Sequence, residues 1–246
     1  GVSPYGCRYV SGNVGEWAGG DEVERKAVRG GSWVNDRSDA RCASRYGAHP
    51  GSRSGDDGFR VVLRGPAALQ SDPLPGDEMN EMEFCHVPFG PFMMGDPAVE
   101  TPLEHEYWVG KYPVTVEQWN GYAVTAGIAI RAAGDAMHPV TSVSWHDAMA
   151  YCAWVTSQRT DGRIADLPTE QEWEKAARGG LALADGSTNP MPKRDYPWGN
   201  DWRTECANVE SRGTTPVDAH PAGVSPYGCM DMAGNVWEWT SSDYDS

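Results

Sequence analysis

The chain has 246 residues, of which 39% are hydrophobic, so it can pack a core as one large domain or two small ones. Its 29 glycines and 18 prolines indicate much irregular backbone. The formal charge of −15 disfavours binding to nucleic acid, and the lack of a run of 18 apolar residues argues against a membrane span. An acidic balance also suits calcium, although a solvated, self-repelling surface is the better explanation.

A 17-residue segment occurs twice, near the two ends of the chain. Residues 1–17 read GVSPYGCRYVSGNVGEW, and residues 223–239 read GVSPYGCMDMAGNVWEW. A repeat at this domain-sized spacing indicates two copies of one domain rather than a solenoid of short repeats. The chain opens without an initiator methionine or a signal-peptide pattern, so we expect it to begin inside a domain.

Residues 67–83 predict a linker, because they are rich in acidic residues, proline and glycine and show no hydrophobic period. Three helices are predicted after it, each opened by a capping box. The capping pairs are Thr115 with Gln118, Ser144 with Asp147, and Thr169 with Glu172. Gly127 predicts the end of the first helix and Gly179 that of the third. The remaining apolar pieces are short, which predicts an α+β fold with little regular secondary structure.

A series of motifs covers nearly the whole chain outside the linker. Its members are VPFGPFMMGD, VGKYPVTVEQW, HPVTSVSWHDAMAYCAW, LPTEQEWEKAARGG, YPWGN, GCMDMAGNVWEW, RGGSW and GFRVV. This combination resembles the formylglycine-generating-enzyme, or sulfatase-modifying-factor, family. The resemblance implies a C-type-lectin-like α+β fold.

The order of the motifs departs from that family. RGGSW and GFRVV follow GNVWEW in the family, but here they stand at residues 29–33 and 58–62. Residues 1–66 therefore resemble the C-terminal half of the family domain, and residues 84–246 the N-terminal half. Either the chain is a stretch of a tandem array, or its halves fold together as a permuted or swapped unit; segment swapping and a homo-oligomer both stay open.

The family's enzymes bind copper through two cysteines shortly after RGGSW. Here Asn35 stands at the first of these positions, and no cysteine precedes Cys42. Since one thiolate cannot form a two-thiolate copper site, we do not expect copper-dependent oxidation. The resemblance also implies disulfides for Cys152 and Cys42, but their partner positions hold Val61 and Ala177. Such unpaired cysteines fit reduced thiols in a cytoplasmic protein.

The resemblance implies a structural calcium ion near the second copy of the repeat. Its ligands would be the side chains of Asp231 and Glu238 and the carbonyl groups of Gly234 and Val236. Alternatively, Asp231 caps a turn and Glu238 meets a buried amide. A second calcium site would begin at Asn208 and Val209, although the acidic loop that completes it is shortened here.

Residues 34–57 are small, polar and aromatic, which is the composition of adaptable binding surfaces. The resemblance places them on the face where the enzymes hold their substrate. The candidate binding residues are Asn35, Asp36, Arg37, Ser44, Tyr46, His49, Ser52, Ser54 and Asp57. The segment also resembles the variable region of proteins diversified by retroelements, which use the same fold. Alternatively, it is an ordinary solvated loop.

Three functions follow as hypotheses. The first is a non-catalytic module that binds a protein or peptide ligand through residues 34–57, because no catalytic cysteine pair or convergent acid–base set is found. The second is an oxidoreductase of the same superfamily that acts on a peptide. The third is a structural unit of a tandem array.

Overall fold

The computed structural model describes residues 24–65, 82–128, 132 and 134–245. Helices account for 20% and strands for 22% of the structure, so the predicted α+β class with little regular structure is confirmed. The first copy of the 17-residue repeat and most of the predicted linker lie outside the described residues. Within the described ranges, no helix has the length and apolarity that crossing a membrane requires.

All three predicted helices form where the capping boxes place them. They are α1 (Val116–Ala126), α2 (Trp145–Gln158) and α3 (Glu170–Arg178). In each helix the side chain of Thr115, Ser144 or Thr169 accepts a hydrogen bond from the third backbone amide, and the residue at that position returns one. Helix α1 ends at Gly127, whose φ of 68° is readily adopted by glycine.

Ten short strands complete the described fold. They are β1 (Lys26–Arg29), β2 (Arg45–Ala48), β3 (Asp57–Gly58), β4 (Val62–Arg64), β5 (Phe84–Val87), β6 (Phe92–Met94), β7 (Val99–Thr101), β8 (Tyr107–Gly110), β9 (Ile164–Asp166) and β10 (Trp237–Asp243). One sheet has the order β2-β1-β10-β3, a second has the order β5-β8-β4-β9, and β6 and β7 form a hairpin.

Both four-stranded sheets combine strands from the two parts of the chain. Strand β1 pairs antiparallel with β10, which places Arg29 opposite Glu238. Strand β3 pairs parallel with β10, so that Asp57 lies beside Trp237. Strand β4 inserts between β8 and β9. Residues 24–65 and 82–245 therefore share both sheets in this chain.

Aromatic rings fill the larger core cluster. Trp119 stacks on Tyr151 with the ring centroids 5.9 Å apart, and Phe59 meets Tyr151 edge-on at 5.4 Å. Cys152 lies in this cluster with Val61, and Cys42 lies in a second cluster with Ala177. The two residues of each disulfide implied by the family resemblance thus lie in the same core cluster, but only one residue of each pair is a cysteine. The five cysteines that the structure describes are free thiols.

The most deeply buried ion pair joins the two parts of the chain. The Arg60 guanidinium binds both carboxylate oxygens of Glu238, with Nη2 2.6 Å from Oε1, and both side chains are fully buried. The Trp173 indole donates to Glu238 Oε2 at 2.9 Å. Arg60 also donates to the carbonyl groups of Gly110 and Met230, each at 2.9 Å. One side chain from residues 24–65 therefore binds several elements of residues 82–245.

Helix α3 is buried although its sequence is highly charged. Its carboxylates pair with arginines supplied by residues 24–65. The pairs are Arg29 with Glu170 and Glu174, Arg45 with Glu170, and Arg64 with Glu172. Buried charges are tolerated only when they are paired and hydrogen-bonded, so these contacts determine how α3 docks.

Replacing Glu238 with glutamine tests this arrangement. The substitution leaves the Arg60 charge buried without its counter-ion, so we expect the free energy of unfolding to fall by about 3–5 kcal/mol. Chemical denaturation of Glu238→Gln and wild type measures the difference. Asp245→Asn, which breaks the exposed Arg25–Asp245 pair, serves as the control and should leave the denaturation midpoint unchanged. Equal midpoints for Glu238→Gln and the control would contradict the assigned role.

Candidate ligand-binding site

A surface cavity of about 630 Å³ lies beside the first sheet. Its volume falls within the usual range for small-molecule and side-chain pockets. Six of the candidate binding residues line it, namely Asn35, Tyr46, His49, Ser52, Ser54 and Asp57. The other lining residues are Asp39, Arg45, Gly47, Ala48, Asp56 and Trp237. The structure therefore brings most of the predicted face around one cavity.

Backbone hydrogen bonds to the second part of the chain hold the cavity loops in place. The Ser142 amide donates to the Ser54 carbonyl at 2.8 Å, and the Trp237 amide donates to the Asp56 carbonyl at 2.9 Å. On the opposite side, the Glu210 amide donates to the Asn35 carbonyl at 2.9 Å. Although residues 34–57 form most of the wall, their shape is set by residues far away in sequence.

Gly31 explains why the RGGSW motif contains a glycine pair. Its φ of +73° is one that residues with a Cβ rarely adopt, and an added Cβ would lie 2.8 Å from the carbonyl oxygen of Asp39. A side chain here would push Asp39 away. The glycine thus allows the loop after β1 to fold back and form the cavity wall.

Asn35 is fixed at the base of the cavity. Its Oδ1 accepts hydrogen bonds from the Trp237 indole at 2.9 Å and from the Ser32 amide at 3.1 Å. Its Nδ2 donates to Asp39 Oδ2 at 2.9 Å. The position at which the family resemblance implies a cysteine is therefore occupied by an amide that braces the surrounding side chains.

Two aromatic rings form the apolar part of the wall. Tyr46 on β2 and Trp237 on β10 have ring centroids 6.3 Å apart and planes inclined by 41°. Tyr46 is 58% exposed, whereas Trp237 is 7% exposed. The wall of the cavity therefore combines the exposed phenol ring of Tyr46 with the buried indole ring of Trp237.

Asp57 is a buried carboxylate without a hydrogen-bond partner among the described residues. It is only 7% exposed, and it lines the cavity. Burial, reinforced by the neighbouring Asp56 carboxylate, raises the pKa of Asp57 to about 7. By contrast, the Asp56 carboxylate accepts from Ser32 Oγ at 2.9 Å and also from Ser54. Only Asp57 of this adjacent pair is left for a ligand.

Three candidate binding residues do not line the cavity. Asp36 accepts hydrogen bonds from the hydroxyl and from the amide of Ser38, which lower the pKa of Asp36 and close a turn. The Arg37 carbonyl accepts from the Tyr196 hydroxyl at 3.2 Å, and Ser44 donates to the Ser38 carbonyl at 2.9 Å. These contacts stabilise the loop, and a ligand-binding role for the three residues stays a prediction.

The expected calcium ligands lie beside the Arg60–Glu238 pair. Asp231 has a φ of 54°, and its Oδ2 accepts from Asn235 Nδ2 at 2.7 Å. Its Oδ1 is buried without a partner, and burial raises the pKa of Asp231 to about 7. Glu238 Oε1 accepts one hydrogen bond, from Arg60. Since a carboxylate oxygen can accept two, both acidic residues retain acceptor capacity, and the donor set fits a hard cation.

The second pair of expected calcium residues lies next to Gly234. An added Cβ on Gly234, whose φ is +75°, would lie 2.5 Å from the Asn208 carbonyl oxygen and 3.1 Å from Val209 Cγ1. Asn208 Nδ2 also donates to Asn235 Oδ1 at 3.1 Å. Calcium binding by Asn208 and Val209 stays a prediction, and their observed contacts hold the GNVWEW turn.

Sequence reasoning missed Trp237 as a wall of the cavity. The residue is distant in sequence from residues 34–57, and its position was visible only as part of the repeated GNVWEW motif. Asp39, Arg45 and Asp56 lay inside the predicted face but were not singled out. No local pattern distinguishes them, because their role depends on the pairing of β3 with β10 and on the docking of α3.

The shared sheets and the polar cavity on irregular loops define an α+β scaffold of the sulfatase-modifying type. The chain belongs to the family of the sulfatase-modifying factor enzyme 1-like domain, whose model matches residues 1–65 and 70–246. The family resemblance inferred from the motifs is thereby confirmed. The further likeness to retroelement-diversified proteins stays a prediction.

The curated relatives include proteins named as enzymes and a protein named as an inactive enzyme. The inactive C-alpha-formylglycine-generating enzyme 2 of Bos taurus is 40% identical over 121 residues, covering 44% of this chain and 34% of that protein. The formylglycine-generating enzyme of Bos taurus is 39% identical over 120 residues, covering 42% and 27%. Hercynine oxygenase of Mycolicibacterium smegmatis is 30% identical over 209 residues, covering 63% and 44%. The chain thus spans less than half the length of each.

Replacing Asp57 with asparagine should stabilise the protein at neutral and higher pH. The carboxyl has a pKa of about 7 when folded against 3.8 in its reference state, so wild type loses stability as the pH rises through this window. Asparagine does not ionise, and we expect it to add up to about 4 kcal/mol at pH 8 and little at pH 4. Denaturation at both pH values measures this, with the exposed Asp201→Asn as the control. A destabilised Asp57→Asn at pH 8 would show that the carboxylate has a partner.

Proposed function

We propose that the chain is a non-catalytic module that binds a protein or peptide ligand in the cavity formed by residues 34–57 and Trp237. The observation that carries the proposal is Asp57, which is buried and has no hydrogen-bond partner among the described residues, in a cavity of ligand size that the exposed Tyr46 also lines. Proteins retain such destabilising groups at functional sites, where binding compensates for them.

Asn35 supports the proposal that the chain lacks the oxidative chemistry of the family, because it stands where the resemblance implies a catalytic cysteine. None of the residues that line the cavity is a cysteine. The Asn35 amide is held by Trp237, Ser32 and Asp39, so it acts as part of the wall. A relative named as an inactive formylglycine-generating enzyme shows that the family includes members named as non-catalytic.

An oxidoreductase is the second candidate. A carboxyl with a raised pKa in a cleft is typical of catalytic acids, and Asp57 fits this description. Two relatives are named as an enzyme and as an oxygenase. Oxygen consumption by the purified protein in the presence of a peptide thiol would favour this candidate over the binding module. A structural unit of a tandem array remains the third hypothesis.

We also propose that calcium supports the scaffold. Asp231 Oδ1, Glu238 Oε1 and the carbonyl groups of Gly234 and Val236 are hard oxygen donors of the kind that calcium requires. A bound calcium ion would neutralise the buried Asp231 carboxylate and fix the turn before β10. This proposal concerns the stability of the scaffold, and none of these four residues lines the cavity.

Peptide selection tests the binding proposal. We expect a displayed random peptide library to yield binders whose affinity falls roughly tenfold in Tyr46→Ala, because exposed aromatic residues at interfaces contribute about 1–2 kcal/mol. Biolayer interferometry measures the affinities. Phe89→Ala is the matched control, since Phe89 is a 70% exposed aromatic residue that does not line the cavity. Binders that do not distinguish the two variants would refute binding in the cavity.

Calcium addition tests the second proposal. After dialysis against a chelator, about 1 mM calcium should raise the melting temperature of wild type by about 2–4 °C, as expected for moderate binding to the native state. Asp231→Asn should lose this response, whereas Asp201→Asn should keep it. An equal response in all three proteins, or none in wild type, would count against the site.

A further inference from the structure

The cavity wall is acidic as well as aromatic. Asp39, Asp56 and Asp57 all line it. Arg45 is the arginine of the wall, but its Nε and Nη2 bind the two carboxylate oxygens of Glu170 at 2.8 and 2.6 Å. The guanidinium is therefore neutralised by a residue of α3, and the carboxylates dominate the charge of the cavity.

The carboxylates differ in how well they are satisfied. Asp39 accepts from Asn35, and Asp56 accepts from Ser32 and Ser54. Asp57, at 7% exposure, accepts from none of the described residues. The Asp57 carboxylate is left to the solvent or to a ligand in the cavity, and among ligand groups a positively charged donor offers the largest gain.

The arrangement suits an organic cation better than a metal ion. Within the part of the chain that the structure describes, no three acidic, histidine or cysteine side chains converge to chelate a metal. The three carboxylates of the wall are thus too dispersed for that purpose. Aromatic faces attract organic cations, and Tyr46 and Trp237 supply two rings to the cavity that Asp57 lines.

We infer that the cavity receives a basic side chain, arginine or lysine, of the peptide ligand. Asp57 pairs with the cationic head, while the rings of Tyr46 and Trp237 pack along the side-chain stem. This inference rests on the proposed function and adds the chemical class of ligand that the site selects.

Short peptides that differ only in charge test the inference. The probes are acetyl-Gly-X-Gly-amide with arginine, lysine or the neutral arginine isostere citrulline at X, titrated by NMR at about 0.15 M salt to screen the overall negative charge. We expect the arginine and lysine peptides to bind wild type roughly tenfold more tightly than the citrulline peptide.

Two variants and one control localise the effect. Asp57→Asn should abolish the preference for the charged peptides, and Tyr46→Ala should weaken their binding. Asp201→Asn removes the same charge elsewhere and should behave as wild type. Thermal unfolding verifies that each variant is folded. A preference for arginine that persists in Asp57→Asn would overturn the inference, because attraction by the net charge alone would then explain it.

The library selection separates this inference from the proposed function. Enrichment of arginine or lysine among cavity binders supports both. If the binders are sensitive to Tyr46→Ala but lack basic residues, the proposed function stands and the cationic assignment is wrong. If no binder is sensitive to Tyr46→Ala, both fail.

Discussion

The buried pair of Arg60 and Glu238 is the interaction on which the fold depends. Arg60 belongs to residues 24–65, and its guanidinium also binds the carbonyl groups of Gly110 and Met230 in residues 82–245. Trp173 adds a hydrogen bond from α3 to the same carboxylate. Since either charge would be strongly unfavourable alone, the two parts of the chain must meet for either to be buried. The contact between Arg60 and Glu238 therefore forms even though the sequence motifs stand in a different order from that of the family.

The pairing of buried charges also connects helix α3 to the cavity. Glu170 on α3 binds both Arg29, a buried residue of β1, and Arg45, which lines the cavity. The carboxylate that helps to dock the helix thus removes the positive charge that would otherwise oppose the cavity's aspartates. One side chain therefore contributes both to the docking of α3 and to the charge of the cavity.

The sequence was most informative where structure is local. Capping boxes predicted the starts of all three helices, because the pairs Thr115–Gln118, Ser144–Asp147 and Thr169–Glu172 act within one turn. The burial of α3 was not predictable from its charged sequence, since its partners are arginines far away in the chain. The composition of residues 34–57 predicted a binding face, and six of its candidate residues line the cavity. The position of Asp56 and Asp57 beside Trp237 depends on the pairing of β3 with β10, which no local pattern predicts.

The residues that line the cavity differ in their roles. Some are held by hydrogen bonds that maintain its shape, and others are exposed to solvent. Asn35 takes part in hydrogen bonds to Ser32, Asp39 and Trp237, so replacing it disturbs the whole wall. Tyr46, on the edge strand β2, is 58% exposed, and its ring lies 6.3 Å from that of the buried Trp237. In the family's enzymes the resemblance places a reactive cysteine where Asn35 stands. An amide at this position exchanges a reactive group for a structural one, which holds Ser32, Asp39 and Trp237 in place.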